Sequence, residues 1–125
     1  MFLGLEHTAI ASTDPPALAQ WYVDNLGFYI NYSYDGNYFV KAPNGCVLEI
    51  ISSKGEPRQA QAMTTPGLRH MAILVEDFDA AYQHLRTTGV KFINEPYVLG
   101  TNRLVFFTDP EGNLIHLIKR ANPLP

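Results

Sequence analysis

A chain of 125 residues, 46% hydrophobic and 17% charged, has the make-up of a water-soluble globule and is long enough to bury a real core as one domain or two fused halves. Its net charge of −3 leaves no basic footprint, which argues against a nucleic-acid partner. Cys46 is the only cysteine, so no internal disulfide can form; "MFLGLEH" does not read as a signal peptide; and no apolar run approaches the ~20 residues of a membrane helix. A cytoplasmic protein without a membrane partner is expected.

In chain order, "GLEHTAI" (Gly4 to Ile10) alternates small or β-branched residues and reads as a strand. In "STDPPALAQWYVDNLGF", Asp14 can cap a helix, Pro15 suits its first turn, Leu18, Trp21, Tyr22 and Val23 give an apolar side, and Gly27 stops it. Three strand-like runs follow, "FYINYSY", "NYFVKA" and "CVLEIIS", separated by the turn signals "DG" and "PNG". A polar bridge runs from Lys54 to Pro66, with proline near both ends. The chain then writes "GLRHMAI" (Gly67 to Ile73), differing from the first stretch only at its third and fifth letters. A second helix follows with Asp77 as cap, Ala81, Tyr82 and Leu85 on its apolar side, and Gly89 as stop. Three more runs, "VKFINEPYVL", "NRLVFFTD" and "NLIHLIK", complete the pattern, with "DPEG" as the last hairpin turn rather than a calcium loop. "PNGCVLE" lies over "PEGNLIH". Each half is therefore expected to be β-α-β-β-β, giving an α+β domain over residues 1–125 built of two tandem modules, 3–53 and 67–120, joined by a linker at 54–66.

Residues two apart in a strand share a face. Leu5, His7 and Ala9 share one, as do Leu68, His70 and Ala72; Val47, Glu49 and Ile51; and Leu114, His116 and Ile118. The interleaved Leu48, Ile50, Ile115 and Leu117 suit a face packed on helices. Each of these four strands thus carries one polar residue on an otherwise apolar surface: His7, Glu49, His70 and His116. A packed histidine need not recur at the mirrored site of a repeat. A covered carboxylate among imidazoles needs something to offset its charge, and a divalent cation bound by His and Glu would do so. These four residues are the candidate metal ligands, and Glu49 is the candidate base. His84 reads as a solvated helix residue and Cys46 as structural. The tyrosines at 29, 32, 34 and 38 read as strand packing, with one or two able to line a pocket.

The doubled plan, "LEHTAI" with "LRHMAI", and "FTDPEGNLIHLI" resemble the vicinal oxygen chelate superfamily, which holds glyoxalase I, extradiol dioxygenases and the bleomycin resistance proteins. The resemblance runs from about Leu3 to Lys119. It implies curved mixed sheets enclosing a divalent metal, with zinc or nickel foremost and iron, cobalt or manganese as options, held by His7, Glu49, His70 and His116. It also implies a small substrate chelating that metal through neighbouring oxygens, a lyase or isomerase of glyoxalase type, and a homodimer whose sites are shared between chains. The alternatives within the same resemblance are a metal-free binding protein and an extradiol dioxygenase-like oxygenase. Two positions depart from the glyoxalases. His116 stands where they carry glutamate, and Ala11 and Ser53 stand where the glutathione-dependent enzymes carry arginine and asparagine, so glutathione recognition is not implied.

Overall fold

A computed structural model describes all residues, 1–125. The chain divides into two compact units, Met1–Gln59 and Ala60–Pro125, each with a sheet and one long helix. In the first, β1 (Thr8–Ser12), α1 (Pro15–Leu26), β2 (Tyr29–Tyr34), β3 (Asn37–Lys41) and β4 (Val47–Ser52) form a four-stranded sheet in the order β1-β4-β3-β2. In the second, β5 (His70–Leu74), α2 (Phe78–Thr87), β6 (Lys91–Phe92), β7 (Tyr97–Leu99), β8 (Asn102–Thr108) and β9 (Leu114–Lys119) give the path β5-β9-β8-β6, with β7 also paired to β8. In both, the first strand runs parallel to the last and the remaining pairs are antiparallel. The α+β class and the mixed sheets agree with the sequence reading.

The local chemistry explains these elements. Asp14 caps α1 by accepting from the Ala17 amide at 3.3 Å, and Pro15 sits in the first turn. Gly27 closes the helix at φ 69°, a left-handed conformation that costs glycine least. Asp77 caps α2 in the same way, accepting from the Ala80 amide at 3.0 Å. Asp35 and Gly36 both have positive φ, 47° and 80°, as a two-residue hairpin of this hand requires. That turn fixes the β2–β3 register: Tyr34 lies opposite Asn37 and Tyr32 opposite Phe39.

Strand parity also holds. Val40, Leu48 and Ile50 are buried on one face of the first sheet, with Leu18, Ala19 and Tyr22 buried along α1. Val105, Phe107, Ile115 and Leu117 are their counterparts in the second sheet, and Phe78 and Leu85 are buried on α2. A fully buried side chain of this size contributes roughly 1.5–3 kcal/mol, so these sets anchor each unit. The buried side of α1 is Pro15, Leu18, Ala19 and Tyr22, while Trp21 and Val23 are only half-buried.

Three expectations are corrected. The first strand begins at Thr8 rather than Gly4, because the parallel pairing with β4 starts at Thr8 opposite Leu48; His7 lies just before it, and Leu5 is exposed. Its counterpart begins at His70, and Leu68 is likewise exposed. "VKFINEPYVL" is not one strand. After Ile93, whose amide still reaches the Phe106 carbonyl, the Asn94 side chain takes the place of backbone and accepts from the Phe106 amide at 2.8 Å. Pro96 has no amide to continue the ladder, and pairing resumes at Tyr97.

Candidate metal centre

One row of residues crosses each sheet. In the first unit Ala9 on β1 lies opposite Glu49 on β4, which lies opposite Phe39 on β3, which lies opposite Tyr32 on β2. In the second unit Ala72 lies opposite His116, and His116 opposite Phe106. The two rows are mirror positions of the repeat, and a histidine stands beside each. The ring of His7 meets Phe39 edge-on with centroids 5.4 Å apart, and His70 meets Phe106 edge-on at 5.8 Å.

Within the first unit, His7 and Glu49 come together. His7 Nε2 lies 3.9 Å from Glu49 Oε1, inside the ~4.2 Å that two donors about 2.1 Å from one ion can span. His7 Nδ1 is 2.8 Å from Glu6 Oε1. An ionised carboxylate only accepts, so Nδ1 carries a hydrogen in this contact, which leaves Nε2 as the nitrogen turned toward Glu49 and able to offer a lone pair to a metal. Glu49 is mostly covered, its side chain 13% exposed. Its other oxygen, Oε2, accepts from the Tyr34 hydroxyl at 2.9 Å. That hydrogen bond first, then desolvation and the Glu49 charge, raises the Tyr34 hydroxyl above the ordinary phenol range, so Tyr34 is a neutral donor. Tyr32, Tyr34 and Phe39 stack or tilt against one another at 5.8–6.1 Å.

Within the second unit, His70 and His116 come together with ring centroids 4.8 Å apart. His116 is 5% exposed, and its Nδ1 is 3.2 Å from the Leu117 carbonyl oxygen. A carbonyl only accepts, so Nδ1–H donates and Nε2 again holds the lone pair. Burial lowers the pKa of His116 below its ordinary 6.5, with smaller downward pushes from His70 and Arg120 against an upward one from the Leu117 hydrogen bond; the neutral, ligating form is favoured.

Each unit therefore brings two of the four candidate residues together, and no group of three or more His, Cys, Asp or Glu side chains gathers as a metal site. Taken unit by unit, an imidazole with a carboxylate in the first and two imidazoles in the second are donor types that suit a divalent transition metal. His7 and His70 are exposed, as are His84 and Cys46, which belong to neither pair. Sequence reasoning missed the role of Tyr34, the two edge-on phenylalanines and the Glu6 partner. Parity and the "DG" turn carry part of the signal, since together they put Tyr32, Tyr34 and Phe39 on one face.

Two β-α-β-β-β units, with Glu49 and His116 at mirrored places of their last strands, define a doubled α+β fold class. Residues 4–117 match the Glyoxalase/Bleomycin resistance protein/Dioxygenase superfamily, and the chain belongs to that family. It is 34% identical to the protein YaeR of Escherichia coli (strain K12), over 94% of this chain and 99% of that one. It is 26% identical to biphenyl-2,3-diol 1,2-dioxygenase 3 of Rhodococcus globerulus over 90% of this chain, which spans 61% of that relative. It is 28% identical to a probable lactoylglutathione lyase of Synechocystis sp. over 94% of this chain and 96% of that one. Among solved structures, a glyoxalase family protein from Enterococcus faecalis superposes with a TM-score of 0.79 at 26% identity, over 94% of this chain and 98% of that one. The oxidase ChaP-H2 does so with a TM-score of 0.74 at 27% identity, over 96% and 95%. No helix is long and apolar enough to cross a membrane.

Proposed function

We propose that this protein is a metal-dependent lyase or isomerase of glyoxalase type, acting on a small substrate that presents two neighbouring oxygens. His7, Glu49, His70 and His116 would hold the metal. The single observation that supports this best is the approach of His7 Nε2 to Glu49 Oε1, 3.9 Å, while His7 Nδ1 is held by Glu6 Oε1 at 2.8 Å. Bound there, a divalent cation such as zinc or nickel would supply Lewis acidity to the substrate oxygens and make a neighbouring C–H bond more acidic. Glu49 is the group that takes that proton and returns it: it is the only carboxylate of the quartet, and a carboxylate can accept a proton without losing its place. His7, His70 and His116 would hold that ion and through it fix the substrate's orientation. Tyr32 and Phe39 offer apolar surface beside Glu49, which limits water around the moving proton.

The test begins with metal content. Purified or reconstituted protein should hold zinc, nickel or cobalt, and metal-loaded protein should turn over hemithioacetals or α-hydroxythioesters, with Glu49→Gln inactive. Uptake below about a tenth of an ion per chain would leave a binding protein without turnover. A second reading has its own support: three imidazoles and one carboxylate include the donor types of iron oxygenases, and one relative bears the name of a dioxygenase. Consumption of a catechol and dioxygen in equal amounts by iron-loaded protein would favour it.

The working form is proposed to be a homodimer in which a donor pair from one chain serves with a pair from its partner. His7→Ala and His70→Ala chains, unfolded and refolded together, should regain metal binding that neither has alone. No recovery in a mixture shown by mass spectrometry to contain mixed dimers would return all four donors to one chain.

A further inference from the structure

The two oxygens of Glu49 are not equivalent. Oε1 faces His7 Nε2 at 3.9 Å, while Oε2 is occupied by the Tyr34 hydroxyl at 2.9 Å. A carboxylate with both oxygens free can bind an ion through one or both, and the choice alters its charge on the metal and its readiness to take a proton. We infer that Tyr34 is a positioning residue that holds Glu49 to single-oxygen ligation through Oε1, an inference that rests on Glu49 being a ligand.

The sheet makes this contact directional. Tyr34 is the last residue of β2, at the Asp35–Gly36 turn, and its ring stacks on Tyr32 at 6.1 Å with planes 28° apart and tilts against Phe39 at 6.0 Å. Phe39 belongs to β3, which lies between the strand that carries the hydroxyl and the one that carries Glu49. Tyr29 lies on the same strand opposite Lys41, with no ring contact or hydrogen bond to Glu49, and it is exposed. Nothing in the second unit plays the part of Tyr34: the side chain at the mirrored place, His116, already has its non-ligating nitrogen satisfied by the Leu117 carbonyl. Glu49 and His116, at mirrored places, thus each have one polar atom tied, by the Tyr34 hydroxyl in the first unit and by a backbone carbonyl in the second. A partner one step removed from a metal commonly changes affinity or activity by about 10–100-fold when it is lost.

Cobalt(II) alone is the probe, because its visible absorption reports coordination number and its uptake can be titrated without substrate. Metal-free wild type, Tyr34→Phe, Tyr29→Phe and Glu49→Gln would be titrated and their spectra recorded. Phenylalanine keeps the ring of Tyr34, which is 40% exposed, so the fold is preserved and thermal melting verifies it. The expected result is a cobalt affinity at least about tenfold weaker for Tyr34→Phe, with an altered absorption spectrum as Oε2 becomes free to bind, and a Tyr29→Phe protein like wild type. Affinity and spectrum of Tyr34→Phe both matching wild type, with Glu49→Gln impaired, would overturn the positioning role and leave Glu49 a ligand. Glu49→Gln binding cobalt as tightly as wild type would overturn the ligand reading and the positioning role with it.

Discussion

The two units place different chemistry at one position of the same sheet. Glu49 and His116 each sit on the last strand, opposite an alanine on the first strand and a phenylalanine on the neighbouring one, with a histidine alongside. Their surroundings differ. Around Glu49 the face carries exposed Tyr29, Tyr32 and Tyr34, and the carboxylate has a hydroxyl and an imidazole beside it. Around His116 the side chains of β8 and β9 are buried, with Leu104, Phe106 and Ile118 in one apolar cluster and Leu114 packed on it, while His70 and Ala72 on β5 are exposed. The residue types follow. A carboxylate is costly to strip of water and takes the wetter site with polar partners; an imidazole can be buried neutral once one nitrogen finds a carbonyl. A doubled fold can thus keep its geometry while each copy selects the polar side chain that its surroundings tolerate.

The largest effect expected from this contrast is on stability. Phe106→Ala removes a buried ring from the His116 face of the second unit and should cost about 3–5 kcal/mol in denaturant unfolding, while Phe39→Ala, half-buried at the mirrored place in the first, should cost clearly less. Equal losses would mean that the two faces are not packed as differently as their exposure indicates. Next comes metal affinity: His70→Ala should weaken it by more than about 100-fold, and exposed His84→Ala should leave it unchanged. Isothermal titration with zinc compares them, and equal effects would remove the repeat as a guide to ligands.

The hairpin turns sharpen the contrast on a smaller scale. Asp109 is buried and accepts from the amides of Glu111 and Asn113 and from the Asn113 side chain, so Asp109→Ala should cost about 1–3 kcal/mol. Asp35, exposed at the Asp35–Gly36 turn, should cost less when replaced by alanine, measured by the same unfolding curves. The smallest effect is acid sensitivity. Burial holds folded His116 below 6.5, so as the pH falls the unfolded chain takes up the proton first. Stability of the metal-free protein is full above 6.5 and declines as pH drops through 6.5 toward the lowered folded value. His116→Asn should flatten this slope in melting temperatures taken between about pH 8 and 5, whereas His84→Ala should keep it. A slope unchanged in His116→Asn would place the acid response elsewhere.

Much of this was legible in the chain. The repeat of "GL-x-H-x-AI", the aspartate caps at 14 and 77, the Asp35–Gly36 turn and the period of two in "CVLEIIS" and "NLIHLIK" are local signals, and local signals determine element type and which residues share a face. They are also enough to single out His7, Glu49, His70 and His116, because a mirrored polar residue on an apolar face stands out without coordinates. Strand limits were decided by pairing: β1 starts where Leu48 meets Thr8, and the sixth run breaks where Asn94 and Pro96 withdraw backbone from the ladder. The bond from Tyr34 to Glu49 was decided by register across three strands, β2 to β3 to β4, which no single strand encodes. The contrast between the open face of one unit and the buried face of the other was hidden for the same reason. Alternation fixes only which side a residue takes, and what lies over that side depends on contacts distant in sequence.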